Sequence, residues 1–319
     1  MLKKFITKKI TLIIFISFSF CLISMIPEKE ELNTKQELNY VSYSGEKSVI
    51  YLLDDNNYLA RTVVAVSNNE IEEKARELLE VLIKGGKGES KIPNGFKSII
   101  SSETEIKSIE YKDGIIKVNF SSEFLDTSIK TEEKIVEAII YTLTSIENVD
   151  KVIIYVDGDI LTKLPKTGIN LPSILDKSYG INKEYDLETY KDVSKVTIFY
   201  VSKYNDNYYY VPVTKYINDD RDKIKIIVDE LASSKFYDSN LMSFLNNNTV
   251  LLSSELNDQS LSLVFNQYIF SDLDTKNILE EVIYTISLSI DANYNVDEVI
   301  FNVENEEIYK SVIKLLEKS

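Results

Sequence analysis

Histidine is absent from the 319 residues, and cysteine occurs once, as Cys21. The first absence removes the commonest general base, the Ser-His and Cys-His nucleophile pairs, and most zinc and iron ligand sets. The second leaves the folded part without any internal disulfide, which is compatible with export as well as with the cytoplasm. Basic residues are also short: 36 Lys and Arg face 51 Asp and Glu, for a net charge of −15. Four of those lysines, Lys3, Lys4, Lys8 and Lys9, precede the first apolar run, so the remainder is more acidic still. Such a surface repels phosphate backbones and anionic headgroups, and no nucleic-acid partner is expected. What is present is ample core material: 44% apolar residues, 21 Tyr among them, in a chain long enough for two domains.

Residues 1–27 read as a membrane anchor or signal segment. Basic residues 1–9 lead into the uncharged run Ile10–Ile26, which Pro27 closes. The run sits at the lower length limit for spanning a bilayer. The lysines should hold the N-terminus in the cytoplasm and place everything after Pro27 outside. Three fates fit: an uncleaved anchor, a cleaved signal peptide, and a lipoprotein signal with Cys21 as the lipidated residue. No A-x-A-like site follows, which argues against cleavage. Phe20 stands where a lipobox has a small residue, so the retained anchor is preferred and lipidation at Cys21 comes second. Residues 28–47 are polar and without periodicity, a linker off the membrane.

The rest of the chain is a duplication. NILEEVIYTI (277–286) lies under KIVEAIIYTL (134–143), and after a short insertion NVDEVIFNVEN (295–305) lies under NVDKVIIYVDG (148–158). A repeat of this size sets the architecture. In the first copy, strands are expected at 48–53 and 62–66. A helix follows from Ile71, with Ala75, Leu78, Leu79 and Leu82 on one face, capped by Asn68-Asn69, with Lys84 in its last turn and Gly85-Gly86 as its stop. A hairpin, 104–111 with 115–120, turns at Asp113-Gly114. A second helix is capped by Thr131 and carries Ile135, Ile139, Leu143 and Ile146; strand 151–157 closes the unit. Residues 158–190 read as an extended tail on the first domain. In the second copy strands are expected at 195–201 and 209–213, then a helix capped by Asp219 or Asp220. A hairpin (249–256, 260–266), a helix capped by Asp274 and strand 297–303 complete it. A short amphipathic helix through Ile308, Val312, Ile313 and Leu316 is expected last, with no counterpart in the first copy. The fold class is α+β: two tandem repeats, each with two helices on a small mixed or antiparallel sheet. The domains run 48–182 and 195–319, with 183–194 as linker.

No catalytic, cofactor or metal set emerges. Asp157-Gly158-Asp159 lacks the spaced acids of a calcium loop and reads as a polar turn. Asp219, Asp220 and Asp222 sit at a helix start, where capping and the dipole account for them. Gly85-Gly86-Lys87-Gly88 follows a helix, whereas a phosphate-cradling loop precedes one. Thr142 and Thr285 read as mid-helix threonines bonding back to a carbonyl. The tyrosines of 204–213, above all Tyr208, Tyr209 and Tyr210, are the candidate partner-binding residues, although the strand propensity of Tyr explains the same run.

Several features of the first copy together resemble the GerM domain of sporulation and spore-germination proteins. They are Leu79, Leu82 and Gly85; Ile92, Pro93 and Gly95; Val118 and Phe120; Tyr141-Thr142-Leu143-Thr144; and Val149, Val152, Val156, Asp157 and Gly158. The tail from Leu164-Pro165 to Asn182 resembles the family's segment after its last strand. Copy two lacks the I-P-x-G signal and the final D-G, and copy one has Gly86 where the family usually has Pro. The resemblance implies an exported, membrane-attached protein of spore formation or germination, without enzymatic activity. It also implies a fold similar to ring-building modules of secretion systems, hence a scaffold or a ring or channel component. Expected partners are the membrane, other sporulation proteins or further copies of the chain. The alternative is a module that binds cell-wall glycan (peptidoglycan) or a ligand through Tyr208–Tyr210.

Overall fold

The structure, a computed structural model, describes residues 46–233, 240–304 and 306–313. The apolar run Ile10–Ile26 and Cys21 lie outside them. Among the described residues no helix is long and apolar enough to cross a membrane.

The first repeat opens with the hairpin β1 (Glu46–Asp54) and β2 (Leu59–Val66), followed by helix α1 (Ile71–Leu82) and the short strand β3 (Phe96–Lys97). Hairpin β4 (Ile106–Lys112) and β5 (Ile115–Phe120) leads into helix α2 (Glu132–Leu143), and β6 (Lys151–Val156) and β7 (Asp159–Ile160) end the unit. A tail carries β8 (Glu184–Asp186). The second repeat has the long hairpin β9 (Ser194–Tyr204) and β10 (Asn207–Ile217), then helix α3 (Lys223–Ala232) and hairpin β11 (Leu251–Asn257) and β12 (Ser260–Phe265). Helix α4 (Glu280–Asp291), β13 (Glu298–Val303) and β14 (Glu306–Val312) complete it.

Each repeat thus has a mixed four-stranded sheet, in the orders β4-β5-β6-β7 and β11-β12-β13-β14. The outer pairs are antiparallel and the central pair, β5–β6 or β12–β13, is parallel because a helix connects its strands. Alternation sets the buried face: Ile116, Val118 and Phe120 point into the core in one copy, and Leu261, Leu263 and Phe265 in the other. Helix α1 buries Ala75, Leu78, Leu79 and Leu82, the stripe its spacing predicts. The tail of the first repeat packs Leu161, Leu164, Leu171 and Leu175 into that repeat's core.

The opening hairpins of the two repeats do not form separate sheets. They join in one six-stranded sheet of order β3-β1-β2-β10-β8, with β9 also pairing β10. The bridge between repeats is one residue pair, Arg61 against Tyr210. Strand β8 lies in the stretch between the repeats and runs parallel to the far end of β10, from Lys215 to Ile217.

Several local expectations are corrected. Helix α1 ends at Leu82, not at the glycines, because Ile83 turns extended and bridges Ile100, so Lys84 lies outside the helix. Its N-cap position is held by Glu70, whose side chain makes no capping bond, while Asn68 donates to Glu77 instead. Thr131 precedes α2 without capping it; its hydroxyl is engaged by Thr127 and Ser128. Asp222, not Asp219 or Asp220, caps α3, accepting from the Ile224 amide at 2.8 Å, while Asp219 holds Arg221. Helix α4 starts after Leu279, beyond Asp274. As far as Val312 the expected terminal helix is instead strand β14, whose counterpart in the first repeat is the shorter β7; Ile313 is helical, and Leu316 lies outside the described residues. The i, i+4 spacing of Ile308 and Val312 suggests a helix, but pairing with β13 decides otherwise.

Candidate assembly surfaces

Among the described residues, a dense group of buried polar side chains lies at the junction of the repeats. Asn182 is its centre. The residue adopts φ 46°, a left-handed backbone that Asn tolerates. Its side-chain oxygen accepts from the Leu59 amide at 2.9 Å, and its amide nitrogen donates to the carbonyls of Leu59 and Pro212, both at 2.8 Å. One buried side chain therefore ties β2 of the first repeat to β10 of the second. Its backbone N–H donates to Glu137 on α2 at 2.9 Å. Next to it, Ile181 and Thr214 exchange two hydrogen bonds of 2.9 Å.

Carboxylates and lysines surround this knot. Lys183 lies 2.7 Å from Glu133 and 3.6 Å from Glu137, with its ammonium 3.4 Å from the centre of the Tyr179 ring. The Tyr179 hydroxyl donates to the same Glu133 oxygen at 3.0 Å. Burial pushes the Glu137 carboxyl up to about 7, against the pull of Lys183 and the Asn182 amide. Burial likewise lowers the Lys134 ammonium, which donates to the Asn57 carbonyl at 2.9 Å. These groups are saturated by one another, which is the geometry of a joint rather than of a reaction centre.

The tyrosine segment belongs to the same joint. Tyr209 is 9% exposed; its hydroxyl donates to Asp54 at 2.9 Å and accepts from Ser202 at 3.0 Å, and its ring meets Phe96 edge-on. Burial first, and the Asp54 charge after it, push that hydroxyl up to about 12. Tyr210 stacks on Tyr284, centroids 5.4 Å apart, beside the Arg61 bridge. Of the three candidate residues, Tyr208 is the one with an open ring, 44% exposed, in edge contact with Phe244. The Tyr204 ring covers Gly95, so the I-P-x-G signal of the first copy is a contact with the second. Tyr58 and Phe96 of the first repeat also pack on the second repeat's core. Sequence reasoning missed Asn182, Asp54 and Glu137 because each acts through partners far away in the chain.

The other candidate groups have local roles. Asp157-Gly158 is the tight turn between β6 and β7, where Asp157 pairs with Lys107. Thr285 bonds back to the Glu281 carbonyl, whereas Thr142 accepts from the Tyr51 amide at 3.1 Å and so pins α2 to β1.

Sheet edges are the remaining surfaces on which another chain could build. Side chains cover the outer edge of β4: Glu72 accepts from the Tyr111 amide, and Arg76 donates to the Ile106 carbonyl. Strand β11 holds the same place in the second repeat, and six of its seven residues are exposed.

A family profile described as "Germane: Sporulation and spore germination" matches residues 49–162 and 197–309. The spore germination protein GerM of Bacillus subtilis (strain 168) is 31% identical over 262 residues, covering 81% of this chain and 71% of that protein. The solved structure of the tandem GerMN domains of the sporulation protein GerM from Bacillus subtilis is similar at a TM-score of 0.74 and 30% identity. That match covers 82% of this chain and 91% of the other.

Proposed function

The chain belongs to the Germane family of sporulation and spore germination, and from that premise we propose that it is a membrane-anchored, extracytoplasmic scaffold that acts by assembly in spore formation or germination. Members of this fold family are structural and non-catalytic, and the chain is of that kind. The observation that carries the reading is the joint: a shared sheet and a saturated polar knot around Asn182 present two repeats as one body. Such a body offers two sets of sheet edges and helix faces at a fixed spacing, which suits a ring, channel or scaffold component. The basic residues 1–9 and the run Ile10–Ile26 supply the anchor in this reading, retained as a helix or lipidated at Cys21. Partners are other sporulation proteins, further copies of the chain, and the membrane.

A second reading, binding of cell-wall glycan, now rests on Tyr208, whose open ring beside Phe244 offers a stacking face. Tyr208→Ala should abolish pull-down by peptidoglycan if this reading holds, and retained binding removes it. The scaffold reading is tested by fluorescence localisation in sporulating cells combined with cross-linking mass spectrometry. It expects a membrane-localised signal and cross-links to other proteins or to a second copy. A strictly monomeric chain with no captured partner overturns it.

A further inference from the structure

The edges of the sheets are treated unequally. At the β1 edge the Tyr51 amide donates to the Thr142 hydroxyl, and at the β9 edge the Phe199 amide donates to the Ser289 hydroxyl at 2.8 Å. Met242 pairs with Val201 further along β9. Glu72 and Arg76 cover β4, which also carries Lys107, Glu110 and Lys112. Strand β14 carries Glu306, Glu307 and Lys310. Charges and covering side chains are the devices that keep strand edges from pairing with other chains.

Strand β11 has little of the first and, among the described residues, none of the second. Its sequence, Leu-Leu-Ser-Ser-Glu-Leu-Asn, holds one charge. Leu252 is 57% exposed and Leu256 52%. The two-residue turn after Asn257 and the register with β12 place Ser254 and Leu256 where backbone groups point away from β12. Leu256 is the counterpart of Tyr111, whose amide Glu72 covers. Among the described residues no side chain reaches the outward groups of Ser254 or Leu256.

We propose that β11 is a homophilic edge: two copies of the chain pair their β11 strands antiparallel about a two-fold axis at Ser254. The choice of a second copy follows from the strand's self-complementarity. Centred on Ser254, the pairing sets Leu252 opposite Leu256 of the second copy, and the converse, as two apolar cross-strand pairs. Glu255 then faces Ser253. Centring on Glu255 would set two carboxylates directly opposite each other, which is destabilising. The pairing is isologous, so it closes at a dimer and does not propagate. The inference rests on the assembly reading above and names one of its surfaces.

The test uses the full chain in detergent, with Cys21→Ser so that an introduced thiol reacts alone. Ser254→Cys should give an oxidised dimer, because facing α-carbons in a hydrogen-bonded antiparallel pair lie about 5.5 Å apart, within the disulfide range of roughly 4.4–6.8 Å. Ser108→Cys on β4 should not. By sedimentation the chain with native β11 should be dimeric. Ser254→Pro removes an outward donor and no bond to β12, and should weaken the dimer at least tenfold, as should Leu256→Lys, each with an unchanged melting temperature. A dimer that survives both substitutions overturns the inference while the assembly reading stands. A monomer that nonetheless cross-links to another protein in cells, with the link lost in Ser254→Pro, overturns the second copy as occupant. A monomer with no partner in cells overturns both.

Discussion

Glu137 carries a buried carboxylate between the Asn182 amide and Lys183, and burial raises its pKa from 4.5 to about 7. A group whose pKa is raised on folding holds its proton more tightly in the folded state. The stability this contributes is complete below pH 4.5 and is lost as the pH rises through about 7. The difference between the two limits is about 3 kcal/mol. Glu137→Gln keeps an acceptor for the Asn182 amide and does not titrate. Urea unfolding from about pH 5 to about pH 8 should therefore show wild-type stability falling relative to this variant. Parallel curves for the two proteins would place the titration elsewhere. Gly95 makes a second test at the same scale. Its φ is +90° and a Cβ there would meet the Tyr204 ring at 2.5 Å. Gly95→Ala should cost about 2 kcal/mol. Adding Tyr204→Ala should recover the part of that loss due to the ring and leave the part due to backbone strain, which a double-mutant cycle separates.

Among elements, the strands and helix faces were legible because their periods are short and local: Ala75, Leu78, Leu79 and Leu82 lie on one stripe, and Ile116, Val118 and Phe120 on one face. The register between the two copies was less so. Matching identities sets Thr142 on Thr285 and requires an insertion before the last strand. Aligning β6 on β13 residue by residue, with no gap, sets Thr142 on Ser289 and Leu143 on Ile290. The two alignments differ by one helical turn, a slip that keeps every apolar residue on the same face and is invisible to periodicity. Hydrogen bonds break the tie: Thr142 and Ser289 each accept a strand amide, from Tyr51 and Phe199, whereas Thr285 bonds within its own helix. Thr142→Val and Ser289→Ala should each cost about 1–3 kcal/mol by leaving a buried amide unpaired, and Thr285→Val distinctly less. Equal losses at Thr142 and Thr285 with none at Ser289 would restore the first alignment. Caps were misread for a related reason: Asp219, Asp220 and Asp222 all suit an N-cap, and their order in space is decided by Arg221, which takes Asp219.

For the molecule as a whole, two tandem α+β units follow from the repeat, but their fusion does not. The six-stranded sheet crosses between repeats through Arg61 and Tyr210 alone, and a single pair leaves no periodic trace. Asn182 looks like any loop asparagine until Leu59 and Pro212 are seen on either side of it. Tyr209 suits the joint through the same property that suits a binding surface, a large apolar ring with one polar tip. Fusion has a consequence for unfolding. If the joint couples the repeats, both should unfold in one transition although each has its own core. Asn182→Ala removes the four hydrogen bonds that its side chain makes at the joint, two with Leu59 and one each with Pro212 and Lys134, and places Ala at a positive φ, a loss of about 3 kcal/mol or more. Asn182→Gly loses the same bonds without the backbone strain. Calorimetry should show one transition for the wild type and two for both variants, with Asn182→Gly the less destabilised. Two transitions already in the wild type would mean that the repeats are neighbours on one sheet without being one cooperative body, and the fixed spacing on which the scaffold reading depends would fall with it.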